Sequence, residues 1–343
     1  MNFSKTLITW YLQNKRDLPW RNTSDAYYIW LSEIMLQQTR VAQGLPYFLA
    51  FTKTFPTVFD LANADEEQVL KLWQGLGYYS RARNLHATAK QVAFEENGKF
   101  PNHYKALLKL KGIGEYTAAA IASFSYNEAV PVVDGNVYRV LSRYFNIETD
   151  IASRKAKKEF TQLATELIDV EQPALFNQAI MEFGALQCVP KSPDCANCPL
   201  NNSCLAFGMK KVDQLPVKLK KTTIKNRYLN YLLILDSENK SIANKRTSKG
   251  IWQNLYELPL IETTQSENDS VIISKIKDEF PETESITLLD SENRIHKLSH
   301  QHLHIRFWKL ELNKVFEVGF TYSELMQLPF PIVLHNFLEN NAY

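Results

Sequence analysis

Four cysteines, two acids and a pair of glycines are the residues in this sequence whose types and spacing could do chemistry. The cysteines are Cys188, Cys195, Cys198 and Cys204, in the arrangement C-x6-C-x2-C-x5-C. Thiolates gathered this closely suit a metal. Structural zinc sites usually pair two C-x2-C hairpins, and only one such pair is present. A four-iron cluster takes one cysteine from each corner of a compact loop, which this spacing fits. Spacing alone leaves both metals open. Disulfides are disfavoured because nothing marks the chain for export. Pro190, Pro193 and Pro199 stiffen the loop.

The first acid, Glu33, sits in Trp30-Leu31-Ser32-Glu33-Ile34-Met35-Leu36, an otherwise apolar helical stretch. The second, Asp134, lies in Val132-Val133-Asp134-Gly135-Asn136-Val137 and caps a helix there. Viewed singly, Glu33 reads as a solvated position on an amphipathic helix and Asp134 as a cap. Between them, Leu110-Lys111-Gly112-Ile113-Gly114-Glu115-Tyr116-Thr117 joins two helical stretches. Gly112 and Gly114 let amides face outward at a helix start, which suits a phosphate. An ordinary helix–helix turn has the same pattern, and Glu115 is a poor neighbour for a phosphate.

These residues need a scaffold. A chain of 343 residues is long enough for two cores. Phe3, Leu7 and Trp10 mark an amphipathic N-terminal helix, and Lys15 and Arg16 follow where a signal peptide would stay apolar. No stretch is apolar for long enough to span a membrane, so a cytoplasmic protein is expected. Net charge is only +2, so a nucleic-acid partner must be argued from motifs. Helical patterns cover 27–36, 40–51, 66–74, 80–96, 104–110, 117–124, 136–145, 155–167 and 173–186. Lys210, Lys211, Lys218, Lys220, Lys221 and Lys225 then crowd a segment with Pro216, which reads as an exposed linker. Beyond it, 228–235 and 302–310 read as strands and 269–280 as a helix. The expectation is a multi-domain chain. An all-α domain at 1–205 carries a cluster loop at 188–204, a basic linker occupies 206–226, and an α+β domain occupies 227–343.

In order along the chain, L-x-G-x-G, V-D-G-N-V and C-x6-C-x2-C-x5-C resemble the helix-hairpin-helix DNA glycosylase superfamily, which includes endonuclease III. The resemblance spans nearly the whole first domain and implies a [4Fe–4S] cluster on the four cysteines. Within that superfamily, Ser32-Glu33-Ile34-Met35-Leu36-Gln37-Gln38-Thr39-Arg40-Val41 is similar to a block of the adenine glycosylase, or MutY, branch. Leu18-Pro19-Trp20-Arg21 and Gly75 to Arg83 resemble further blocks of that branch. Tyr116 stands where endonuclease III-like enzymes carry a Schiff-base lysine. The second domain resembles the MutT-like, or Nudix-like, hydrolase fold through Gly250-Ile251-Trp252-Gln253-Asn254-Leu255, yet 269–280 lacks that fold's magnesium-binding glutamates. Nucleotide hydrolysis is therefore not expected.

The resemblance implies a monofunctional enzyme that hydrolyses the N-glycosidic bond of adenine opposite 8-oxoguanine or guanine in double-stranded DNA. It would be a monomer, cytoplasmic or, in a bacterium, nucleoid-associated. Glu33 would be the acid and Asp134 the stabiliser of the sugar cation, with Tyr116 and Asn136 orienting them. Trp20, Arg21, Leu36 and Gln178 would receive the extruded adenine. Gln38, Thr39 and Tyr78 would press against the opposite base, and Gly112 and Gly114 would hold the backbone. In the second domain, Leu298-Ser299-His300 is the best match to a Phe-Ser-His loop, leaving Ser299 and His300 to sense the oxidised base. Arg81 and Arg83 are candidates for phosphate contacts or for solvated positions. The alternatives are an endonuclease III-like glycosylase/lyase on oxidised pyrimidines, which Tyr116 argues against, and a non-catalytic damage-binding protein, which the two acids argue against.

Overall fold

The computed structural model describes residues 2–219, 223–289 and 294–341. Its helices run α1 (Phe3–Asn14), α2 (Ala26–Leu36), α3 (Val41–Thr54), α4 (Val58–Asn63), α5 (Glu66–Leu72), α6 (Ser80–Glu95), α7 (Tyr104–Leu107), α8 (Glu115–Tyr126), α9 (Gly135–Tyr144), α10 (Arg154–Leu167), α11 (Pro173–Leu186) and α12 (Leu205–Gly208). A mixed region follows: β1 (Lys225–Leu235), β2 (Asn244–Lys245), β3 (Tyr256–Glu257), β4 (Leu260–Thr263), α13 (Asp269–Glu279), β5 (Thr283–Leu288), β6 (Arg294–Lys297), β7 (Gln301–Leu312), α14 (Tyr322–Gln327) and α15 (Ile332–Asn340). No helix among the described residues is long and apolar enough to cross a membrane.

Two compact units emerge. One comprises 1–63 with 84–220, and the other 64–83 with 221–343. The first is all-helical. Its core joins Leu7 and Tyr11 of α1, Val140 and Leu141 of α9, Phe160 of α10, and Phe176, Ile180 and Phe183 of α11. The apolar positions 137, 140, 141 and 144 give α9 one inward stripe, and its remaining faces are free for Asn136, Arg139 and Arg143. The α2 helix is different: it is apolar nearly all round and buried along almost its whole length. A helix of that kind lies in the interior, and its single acid goes inside with it.

In the second unit β1 and β7 run parallel at the centre of a sheet ordered β4-β1-β7-β5, with β6 pairing β7. Leu232 and Ile234 of β1, Trp308 and Leu310 of β7 and Ile272 and Ile276 of α13 form the core on one face. On the other face Phe307 stacks on Phe337 of α15, with ring centroids 3.7 Å apart.

The structure departs from the sequence reading in two places. Residues 64–83 group with the C-terminal residues because polar side chains tie them there. Lys71 Nζ donates to the carbonyls of Met326 and Leu328 at 2.6 and 3.1 Å, and Glu67 pairs with Lys245 at 2.7 Å. Most of the described residues of the segment read as an exposed linker are exposed, but a few points anchor it. Ala206 and Leu215 are buried, and the Ile151 amide donates to the Val217 carbonyl at 3.0 Å. Lys220 and Lys221 lie outside the described residues.

Candidate active site

Buried on α2, Glu33 is 7% exposed. Its Oε2 accepts a hydrogen bond from the Tyr116 hydroxyl at 2.6 Å. Tyr116 stands in the first turn of α8, just past the glycine turn. Burial raises the Glu33 carboxyl from its ordinary 4.5 to about 7; the Tyr116 bond opposes this, and the Asp134 charge adds to it. A carboxyl of that pKa carries its proton part of the time near neutrality, as a general acid must.

Asp134 is the N-cap of α9. Its Oδ1 accepts from the Val137 amide at 2.8 Å, and its Oδ2 accepts from Asn136 Nδ2 at 2.7 Å. Burial lifts its pKa and those bonds pull it down, leaving a net rise. One residue thus serves two ends: the cap contributes about 1 kcal/mol to the helix, and capping orients the carboxylate. Asn136 is itself held, accepting from Arg139 Nη2 at 2.9 Å, and Arg139 also donates to the carbonyls of Gly184 and Cys188 at 2.6 and 2.7 Å.

Glu33, Asp134, Tyr116 and Asn136 line one cleft of about 560 Å³ together with Trp20, Arg21, Leu36, Thr39 and Gln178. Trp20 is buried edge-on against Phe48 at 5.0 Å. Gln178 Oε1 accepts from the Tyr11 hydroxyl at 2.5 Å. Gln38, in the left-handed region at φ +57°, opens onto an adjoining hollow shared with Glu33, Tyr116 and Asp134.

Three residues that sequence reasoning missed build this cleft. Glu182, 1% exposed, binds Arg16 through Nε and Nη2 at 2.8 and 2.5 Å and Arg21 through Nη1 and Nη2 at 2.7 and 2.6 Å. Burial would raise the Glu182 carboxyl, but the two arginines outweigh it and hold it at about 2. Helix spacing carried the signal: Glu182 follows Gln178 by four residues, and Arg139 follows Asn136 by three, so each shares its predecessor's face.

Gly112 and Gly114 border a separate hollow beside Tyr116 and Thr117. Gly112 has φ +78°, and a Cβ there would meet Asn84 Cβ at 2.8 Å, so the turn itself requires glycine. Gly114 precedes α8, and nothing lies within 4 Å of where its Cβ would be. That openness suits an approach from outside the chain. Glu115 pairs with Lys157 at 2.7 Å, which offsets its charge beside the turn.

Tyr78, Ser299 and His300 belong to the other unit. Tyr78 is 44% exposed at φ +47°, so it is not a core residue. Ser299 and His300 are exposed in the turn joining β6 to β7. The two candidate phosphate ligands are otherwise employed. Arg81 Nη2 donates to the carbonyls of Leu76 and Gly77, and its guanidinium lies over the Trp73 ring at 5.2 Å. Arg83 Nη1 donates to the Gln253 carbonyl at 2.8 Å.

The four cysteines are unpaired and line one small cavity. Among the described residues no group is close enough to hold a single metal ion. Four thiols around one cavity are a donor set that fits an iron–sulfur cluster. Burial pushes the Cys198 thiol up to about 11. Arg143, 3% exposed, threads the loop: it donates to the Cys188 sulfur at 3.4 Å and to the carbonyls of Val189, Pro190, Val212 and Leu215 at 2.8–3.0 Å.

A helix–glycine turn–helix beside a cleft with two inward acids, in an all-α body, defines the helix-hairpin-helix class of base excision proteins. Residues 31–166 match the HhH-GPD superfamily of base excision DNA repair proteins, and residues 230–340 match the NUDIX domain family. A thermostable thymine-DNA glycosylase aligns with a TM-score of 0.56 and 29% identity, over 60% of this chain and 95% of that one. Endonuclease III trapped on DNA shares the fold, with a TM-score of 0.53 and 20% identity over 60% of this chain and 94% of that one. The adenine DNA glycosylase of Buchnera aphidicola from Acyrthosiphon pisum is 34% identical over 355 aligned residues, covering 98% of both chains. This chain belongs to the adenine DNA glycosylase family, and it is a base excision repair enzyme.

Proposed function

We propose that this protein hydrolyses the N-glycosidic bond of adenine paired with 8-oxoguanine or guanine in duplex DNA, as a monofunctional monomer. The observation that carries this reading is the pairing of Glu33, whose pKa is raised to about 7, with the capped Asp134 in one cleft. An adenine in the stack hides its ring nitrogens, so it must first be extruded. Trp20, Arg21, Leu36 and Gln178 receive it. Adenine is a poor anionic leaving group, and the protonated Glu33 donates to a ring nitrogen as the bond to the sugar breaks. The electron pair leaves with the base, and the sugar becomes an oxocarbenium ion.

Asp134, fixed by Asn136 and the Val137 amide, faces that cation and stabilises it. Glu33, now ionised, takes a proton from the water that adds to the sugar carbon. Tyr116 holds Glu33 in place and offers no amine, so no Schiff base forms and the strand stays intact. Gly112 and Gly114 hold the backbone. Gln38, Thr39 and Tyr78 press against the opposite base and Ser299 and His300 sense its oxidation, with residues 227–343 serving recognition rather than nucleotide hydrolysis. A [4Fe–4S] cluster on Cys188, Cys195, Cys198 and Cys204 cross-links its loop when bound.

The test is single-turnover release of adenine from duplexes with 8-oxoguanine, guanine or thymine opposite. Release is expected from the first two and not the third, with strands cut only after hot alkali. Equal release from all three would overturn the reading.

A further inference from the structure

Two of the contacts that hold residues 64–83 in the second unit converge on one short turn. Trp252 and Asn254 both have left-handed backbones, at φ +61° and +66°, and they bracket Gln253. Asn254 Nδ2 donates to Glu66 Oε1 at 2.6 Å, and Arg83 Nη1 donates to the Gln253 carbonyl at 2.8 Å. These grip the segment at both ends, since Glu66 opens α5 and Arg83 lies in the first turn of α6. Between the two grips lies the loop that carries Tyr78, exposed and at positive φ. In the other direction, the Trp252 ring packs on His296 with centroids 6.0 Å apart. His296 belongs to β6, whose turn into β7 carries Ser299 and His300.

We propose that the turn 252–254 is a positioning bridge between the two elements that read the base opposite adenine. It sets the Tyr78 loop against the β6–β7 hairpin, so that Asn254 and Glu66 govern how strictly 8-oxoguanine is told from guanine without touching either. The proposal rests on the reading of Tyr78, Ser299 and His300 given above. Its physical basis is that a small displacement of a contact residue costs much more in discrimination than in folding, because paired hydrogen bonds must meet in register. The Asn254–Glu66 bond has an ionised acceptor, which makes it one of the stronger restraints on the loop.

The experiment compares single-turnover adenine release from duplexes with 8-oxoguanine and with guanine opposite, using the full chain. Asn254→Asp keeps the size and the tolerance of left-handed backbone but sets a carboxylate against Glu66. The ratio of the two rates is expected to fall about tenfold, the worth of one charge-assisted hydrogen bond. Adding Glu66→Gln supplies an amide that can donate to the new carboxylate, and should return the ratio to within about twofold of the parent. Tyr78→Ala, measured in parallel, should lower the ratio by itself. If Tyr78→Ala lowers the ratio and Asn254→Asp does not, the bridge is overturned while the base reading stands. If Tyr78→Ala leaves the ratio alone, the base reading fails and takes the bridge with it. A fall in Asn254→Asp that Glu66→Gln does not repair assigns the loss to general misfolding of the turn, and also overturns the bridge.

Discussion

Glu33→Gln should make the protein more stable while it abolishes catalysis. The folded chain holds this carboxyl at about 7 against an ordinary 4.5, so ionising it costs about 3 kcal/mol more in the folded protein than in the unfolded chain. The folded state therefore binds more protons than the unfolded state between those two values, and stability falls as pH rises through that window. Below about pH 4 both states are protonated, and the variant should gain almost nothing on this account. The gain should grow from about pH 4.5 to 7 and level off above, approaching 3 kcal/mol. An amide retains an oxygen for the Tyr116 hydroxyl, so that contact survives the change. For a unit of this size the plateau corresponds to several degrees in Tm, at roughly 2–4 °C per kcal/mol. Thermal unfolding of parent and variant across pH 4–9 reads the difference directly. A difference that does not vary with pH, or a variant less stable than the parent at pH 8.5, would refute the burial argument for this acid. Adenine release by the parent should decline over the same upper range, as Glu33 gives up its proton above about 7.

The other variants probe separate parts of the site. Asp134→Asn keeps an acceptor for the Val137 amide, so folding should survive, while adenine release should fall about a thousandfold for want of a charge opposing the sugar cation; a loss below tenfold in single-turnover rate would remove Asp134 from the mechanism. Purified protein should be brown with about four irons and four sulfides per chain, and Cys198→Ser should lose iron and unfold earlier; stoichiometric zinc in anaerobically prepared protein would overturn the cluster reading. Tyr116→Lys places an amine beside Glu33 and should bring strand cleavage and borohydride trapping; a variant that still releases adenine but never traps would show that position 116 does not face the sugar.

Much of this architecture is legible in the order of the residues. The α11 bounds coincide with the span expected from its pattern, and α2, α9 and β1 fall within a few residues of theirs. Local signals suffice there: Pro173 opens a helix, Asp134 caps one, and a short, nearly continuous apolar run marks a strand buried on both faces. Glu33 is more instructive. Read as one acid on an amphipathic helix it belongs in solvent, but α2 has no polar face to put there. The absence of helical periodicity was the clue to a buried acid. What stayed hidden depends on partners distant in sequence. Nothing local in 64–83 announces Met326 or Gln253, and nothing in the lysine-rich stretch announces that Arg143 will claim the Val212 and Leu215 carbonyls. Arg81 and Arg83 illustrate the same limit, since exposed-looking arginines can be spent on carbonyls of their own chain.

One buried carboxylate, Glu182, holds two arginines at the wall of the cleft. A free arginine side chain keeps about 2 kcal/mol of rotational freedom, and a binding site made of free arginines must surrender it each time a ligand arrives. Here that freedom is given up once, when the chain folds. The pair also leaves a residual single positive charge, fixed in direction, because two guanidinium groups share one acid. On the proposed reading, a base swung out of a duplex exists only briefly, and a wall that needs no rearrangement engages it within that interval. Stiffness at this wall is thus a property of timing as much as of affinity.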